Sequence, residues 1–205
     1  MEGKTEARMD WLGFGLQVLP ATALAALATL LGSEILAART PLSWQFPLVI
    51  GGLVLFVGLL TFRSWGGWSL AMLVGFALLA GTVLGGLLAG SSGSWPLAWL
   101  MSALLLAIAA TISGFLPPWL LRMGFGLWLA SLVYLIGWIG FAALNLPTGS
   151  QVAWALAGAM IFALLGAIWF ASLNPERGAT ASSLAVDLYI LAFNLTIALR
   201  VLASI

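Results

Sequence analysis

The stretch L-A-V-D-L-Y-I-L-A-F-N-L-T-I-A-L-R-V-L, Leu184 to Leu202, decides how the rest of the chain is read. It is apolar enough to lie in a bilayer, yet it carries Asp187, Tyr189, Asn194, Thr196 and Arg200. A charged side chain at the centre of a membrane helix costs roughly 2.5 to 3.5 kcal/mol even on the lenient insertion scale, so such residues are paired, buried in protein or used. On a helical wheel Asp187, Leu191, Asn194 and Ala198 share one face, and Tyr189, Phe193, Thr196 and Arg200 share another, nearly opposite. A helix polar on two sides is expected inside a bundle rather than against lipid. Asp187, Tyr189, Asn194 and Arg200 form the candidate intramembrane polar site.

Composition places this stretch in a membrane protein. Hydrophobic residues make up 63% of the 205, charged residues 6%, and the mean hydropathy is +1.16; in a soluble domain about a quarter of residues are charged. Seven Lys and Arg against six Asp and Glu leave a net charge of +1, which excludes a basic nucleic-acid surface. The chain has no Cys and no His, so thiolate and imidazole metal sites, His-ligated haem and His-based proton relays are excluded, and no cofactor is expected. Ser182 and Ser183 have no His or Lys base within the membrane, and Tyr189 with Asn194 makes no recognisable active site, so an enzyme is not expected.

Apolar runs of about 20 residues, the length that crosses the hydrocarbon core, number seven: Trp11–Leu31, Phe46–Phe62, Trp68–Gly90, Trp95–Phe115, Trp119–Leu144, Val152–Leu173 and Ser183–Ile205. The breaks between them are short and rich in Gly, Pro, Ser or Asn. The prediction is one all-α transmembrane domain over 1–205 with a short polar N-terminus at 1–10, retained rather than cleaved. Lys4, Arg8, Arg63, Arg122 and Arg177 fall on one side and only Arg39 and Arg200 on the other, which makes the N-terminus cytoplasmic. Trp44, Trp65, Trp68, Trp95 and Trp119 stand at expected helix ends, where indole rings anchor at the headgroup level. Arg200 is expected to snorkel to the far interface.

Small residues mark packing seams. Gly81 and Gly85 lie four apart, as do Gly86 and Gly90, a spacing that lets helix backbones approach closely. Gly137, Gly140 and Gly158 take the same packing reading. Gln17 and Pro20 mark a local kink in the first helix, with the freed carbonyl satisfied by a neighbour.

Two of these segments resemble the Bax inhibitor-1 family, which includes the bacterial YccA-like proteins. L-Y-I-L-A-F-N-L at Leu188 to Leu195 is similar to that family's L-Y-x-x-x-x-N-L motif in its last helix, and F-A-L-L-A-G-T-V-L-G-G-L-L at Phe76 to Leu88 is similar to F-x-F-x-x-G-x-x-L-G-P-x-L. The resemblance implies a bundle with helix 7 central and helices 1 to 6 around it, and an association with calcium leak, with stress and death pathways, and in bacteria with the membrane protease FtsH. The family's leak relies on two aspartates near helix 7 that share a proton. This chain departs from that pattern. The position two after the motif tyrosine is Leu191, the preceding loop position falls near Ala171 to Asn174 with no acid, and Ala80 stands where many members carry a glutamate.

Asp187 is thus a lone carboxylate, and two readings of it are open: a helix-start charge or ion pair, with Arg177 on the same expected side, or a proton- or cation-responsive group. Calcium takes six to eight oxygen ligands, which the remaining acids, all near loops or ends, do not assemble. The expected function is a non-enzymatic accessory, assembly or regulatory subunit that binds other integral membrane proteins as well as lipid. The membrane is expected to be a bacterial inner or another energy-transducing one. The alternative is a pH-sensitive calcium or cation leak channel.

Overall fold

A computed structural model of the chain describes residues 13–88, 93–123, 126–127, 129–131, 133–134, 148–173 and 180–204. Among them every regular element is helical. In chain order these are α1 (Phe14–Arg39), α2 (Gln45–Thr61), α3 (Gly67–Leu87), α4 (Trp95–Phe115), the short α5 (Pro118–Arg122), α6 (Thr148–Ser172) and α7 (Ala181–Leu202). Five of them, α1, α3, α4, α6 and α7, are long and apolar enough to cross a membrane, as an integral membrane protein requires. At 17 residues, α2 is about 26 Å long at 1.5 Å per residue. Most of the expected fifth span, with Gly137 and Gly140, lies outside the described residues, as do the N-terminal segment 1–10, Gly90 and Arg177.

The helix boundaries follow from local chemistry. Ser94 caps α4, its hydroxyl accepting from the Leu97 N–H at 3.5 Å, with Pro96 in the first turn where its missing N–H costs nothing. Thr180 caps α7 in the same way, accepting from the Ser183 N–H at 3.2 Å. Gly66 turns the chain into α3 with φ +53°, a conformation open to glycine.

The first helix runs beyond its expected end. Serine and glutamate at 33 and 34 suggest a break after Leu31, but the helix widens there into a π turn, Gly32–Leu36, with the Ala37 N–H reaching the Gly32 carbonyl. Glu34 faces outward, and Ile35 to Arg39 are good helix formers. The chain stops at Thr40, held extended (φ −93°, ψ 118°) because Pro41 disfavours helical backbone in the residue before it. A second π turn, Phe14–Val18, precedes Pro20, and the Leu19 N–H bonds the Phe14 carbonyl. The irregularity expected at Gln17 and Pro20 is thus a widened turn within the helix itself.

The chain divides into two compact units. Unit one holds α1, α2, α3 and α7 as far as Tyr189; unit two holds α4, α5, α6 and α7 from Ile190. In unit one α1 crosses α3 with backbone against backbone. A Cβ on Gly81 would fall on the Thr29 carbonyl, one on Gly85 would come within 2.7 Å of the Ser33 Cα, and one on Gly32 within 2.8 Å of the Thr82 nitrogen. Gly81 and Gly85 both lie on this close approach. Gly86 instead makes room for the side-chain amide of Gln45 at the start of α2. Phe56 of α2 meets Phe76 of α3 at a ring-centroid separation of 5.4 Å.

Unit two is built around an aromatic cluster. Tyr134 stacks on Trp154 of α6 (5.7 Å, 11°) and meets Phe162 edge-on at 5.4 Å, while the Trp154 indole N–H donates to the Tyr134 carbonyl at 3.2 Å. Gly158, midway between those two α6 residues, leaves the space that the tyrosine ring fills. Gly166 does the same for the Leu106 side chain of α4.

Candidate polar site on the last helix

α7 is set apart by burial: 72% of its most apolar stretch is inside the protein, against 28 to 33% for the other four long helices. Lipid offers hydrocarbon as good as a leucine side chain, so apolar burial does little to hold membrane helices together; close packing and interhelical hydrogen bonds do it instead. The polar residues of α7 are to be read in that light.

Tyr189 is fully buried, its hydroxyl 2.8 Å from the Thr29 Oγ1 and its ring edge-on to Phe76 at 6.3 Å. The Thr29 hydroxyl has one proton, which it donates to the Ala25 carbonyl at 3.0 Å. Tyr189 is therefore the donor in the interhelical bond and Thr29 the acceptor. Thr22, two turns earlier on α1, donates to the Val18 carbonyl at 2.9 Å and lies 3.5 Å from the Ala185 carbonyl of α7.

Thr196 repeats the arrangement in unit two. Its hydroxyl donates to the Ala192 carbonyl at 2.7 Å, so the buried Ser102 of α4, 2.8 Å away, donates to it. Each unit thus ties its share of α7 to a neighbouring helix by one buried hydroxyl pair. Such bonds average about 0.6 kcal/mol and reach about 1.7. A double-mutant cycle of Tyr189→Phe and Thr29→Val, read by reversible unfolding in mixed micelles, should give a coupling in that range; a coupling of zero would remove the bond from the description.

The charged members of the proposed site behave differently. The Asp187 carboxylate lies 3.8 Å from the Arg63 guanidinium, with side chains 32% and 53% exposed. A pair this long and this open contributes little to stability. The Ser182 hydroxyl donates to the Arg63 carbonyl at 3.0 Å, which pins the loop after α2 to the start of α7. Arg200 does not snorkel along an open surface. It is 5% exposed, with its guanidinium 4.5 Å over the ring of Trp95, a cation–π arrangement whose strength grows with desolvation. Trp95, expected as an interfacial anchor, is itself 2% exposed and forms the underside of this contact, whereas Trp44, Trp65, Trp68 and Trp119 are all well exposed.

The buried Asn194 donates its side-chain N–H to the Ile190 carbonyl of its own helix at 2.8 Å. Asp187 and Tyr189 belong to unit one, Asn194 and Arg200 to unit two. Three partners that the sequence reading assigned no site role, Thr29, Arg63 and Ser102, complete these contacts. A signal for Thr29 was present, since Thr22, Ala25, Thr29 and Gly32 recur at heptad-like spacing on α1 as a stripe of small and hydroxyl residues.

Beside the Arg63 loop lies a cavity of about 310 Å³, with Gln17, Ser64, Thr180 and Ser182 as its polar wall and Leu70 and Leu73 as its apolar one. Comparison of the chain with models of known protein families and with curated proteins gives no match.

Proposed function

We propose that this is a non-enzymatic accessory, assembly or regulatory subunit that binds other integral membrane proteins, built on a divergent Bax inhibitor-1-like plan. In this proposal seven helices cross the membrane, the last is central and the N-terminus is cytoplasmic. The membrane is a bacterial inner or another energy-transducing one. The observation that carries the reading is the Arg63 guanidinium beside Asp187. A leak path needs a carboxylate without a counter-ion, whereas this one lies beside a guanidinium on the loop that Ser182 ties to the start of α7. The other polar groups of α7 support the same reading: Tyr189 and Thr196 are engaged with neighbouring helices, Asn194 with its own helix and Arg200 with Trp95.

The test pairs two measurements. Mild solubilisation at native expression level, after crosslinking in intact membranes, should yield one membrane-protein partner at fixed stoichiometry in two different detergents. Purified protein in proteoliposomes should show no calcium flux at any pH from about 5 to 8, the range over which a poised carboxylate would titrate. Monomer alone, with a pH-dependent flux that falls in Asp187→Asn, would replace this reading with the leak channel.

A further inference from the structure

At the end of unit one away from Arg63, where α1 stops and α2 begins, a second slot of about 270 Å³ is rimmed by Arg39, Thr40 and Trp44 and walled by Leu48, Leu78 and Leu79. Two of the rim residues carry N–H donors with no partner among the described residues. Arg39 forms no ion pair or hydrogen bond among the described residues, and neither does the indole N–H of Trp44, which is 59% exposed. The Thr40 hydroxyl already donates to the Leu36 carbonyl at 2.7 Å. Among the described residues no carboxylate lines the slot.

An unpaired guanidinium fork and an indole N–H on the lining of one slot are the donor set for a phosphodiester, whose oxygens take parallel N–H bonds from arginine. The wall decides which kind. Leu48, Leu78 and Leu79 are unsuited to a hydrated ion, and they continue the slot from the end of α1 along α3, both helices of membrane-spanning length. A molecule with phosphate at one end and hydrocarbon below it matches both halves. The cavity beside the Arg63 loop is the useful contrast: it is of similar size, but none of its described lining residues is charged.

We infer that the Arg39–Trp44 slot is a binding site for an anionic glycerophospholipid, with the phosphate on Arg39 and Trp44 and the first part of an acyl chain against Leu48, Leu78 and Leu79. Basic recesses between membrane helices hold lipid headgroups by this combination of charge and shape. The site is independent of Asp187 and of the accessory role proposed above.

The experiment is native mass spectrometry of the full-length protein released from nanodiscs holding phosphatidylglycerol, phosphatidylcholine and diacylglycerol in equal amounts. The expected result is one phosphatidylglycerol retained through a detergent wash that strips the others. Arg39→Gln should lower that retention about fivefold, the weight of one interfacial cation, and Leu79→Trp should lower it by filling the slot with the cation left in place. Arg122→Gln, which removes an exposed cation elsewhere, should retain lipid as the wild type does. Arg39 is exposed at a helix end, so thermal unfolding of Arg39→Gln should match the wild type. If that variant does not fold, Leu79→Trp and Arg39→Lys, which loses the fork, decide the matter. Retention equal in wild type and variants, or diacylglycerol held as firmly as phosphatidylglycerol, would show annular contact only and overturn the site. Displacement of the lipid by millimolar inorganic phosphate would also overturn it, in favour of a free anion.

Discussion

Gly81→Leu should prevent unit one from assembling, with a loss of folded protein too large for a cooperative unfolding transition to be recovered. The ground is the identity of the obstacle. A Cβ at position 81 would meet the carbonyl oxygen, carbonyl carbon and Cα of Thr29, all backbone, and helix backbone has no rotamer to give. Even Gly81→Ala pushes α1 away from α3, and the damage spreads because Gly32 and Gly85 belong to the same contact. Separating the helices also withdraws Thr29, the acceptor of the Tyr189 hydroxyl, so the tie to α7 is strained together with the α1–α3 seam. Overpacking a tight site usually costs about 1 to 3 kcal/mol; a clash with main chain on a seam of several close approaches belongs at or above the top of that range. The check is fluorescence-detected size exclusion with a thermal ramp in detergent. A monodisperse Gly81→Leu protein with a wild-type melting temperature would show that α1 and α3 are not in backbone contact.

Gly158→Val should be nearly as damaging, at about 2 to 3 kcal/mol, but unlike Gly81→Leu it should be rescued. The space beside Gly158 is filled by the Tyr134 ring, which is 2% exposed and held between Trp154 and Phe162. A tyrosine so confined cannot swing away, so the added methyls displace it and disturb both aromatic contacts, each worth about 0.5 to 1.5 kcal/mol beyond its buried area. The obstacle is nevertheless a side chain. Trimming it in Gly158→Val/Tyr134→Leu should recover at least half of the lost stability, whereas no single side-chain change on α1 should rescue Gly81→Leu. The measurement is a double-mutant cycle by reversible unfolding in mixed micelles. Additive losses at 134 and 158 would mean that the two residues do not touch.

These two sites also mark where the sequence could be read and where it could not. The four-residue spacing of Gly81 and Gly85 is visible in the chain, because close approach of membrane helices demands small residues at one-turn intervals. Gly158 stands alone, and its purpose depends on a tyrosine 24 positions earlier, a relation that no local pattern carries. Gly86 shares the glycine spacing but accommodates the Gln45 side chain instead, since spacing specifies room and not what fills it. The end of α1 departs from its local pattern for a related reason. Ser33 and Glu34 look like a turn in isolation, but a π turn absorbs them because the α3 backbone runs against Gly32 and Ser33. The stop at Thr40 followed the local rule, set by Pro41.

What the sequence determined by itself was the solvent and the element. With 63% hydrophobic and 6% charged residues, gathered in apolar runs of about 20, the chain is suited to helices of spanning length, because backbone polar groups in lipid must be satisfied within the segment. It also singled out α7, since polar and charged groups at membrane depth require protein around them. Tertiary structure decided what each of those groups does. Asp187 meets Arg63, Tyr189 meets Thr29, Thr196 meets Ser102 and Arg200 meets Trp95, every partner from an element far away in the chain. A polar residue in a membrane helix announces that a partner exists, through the cost of leaving it without one, but helix crossing alone sets which residue lies within three or four ångströms.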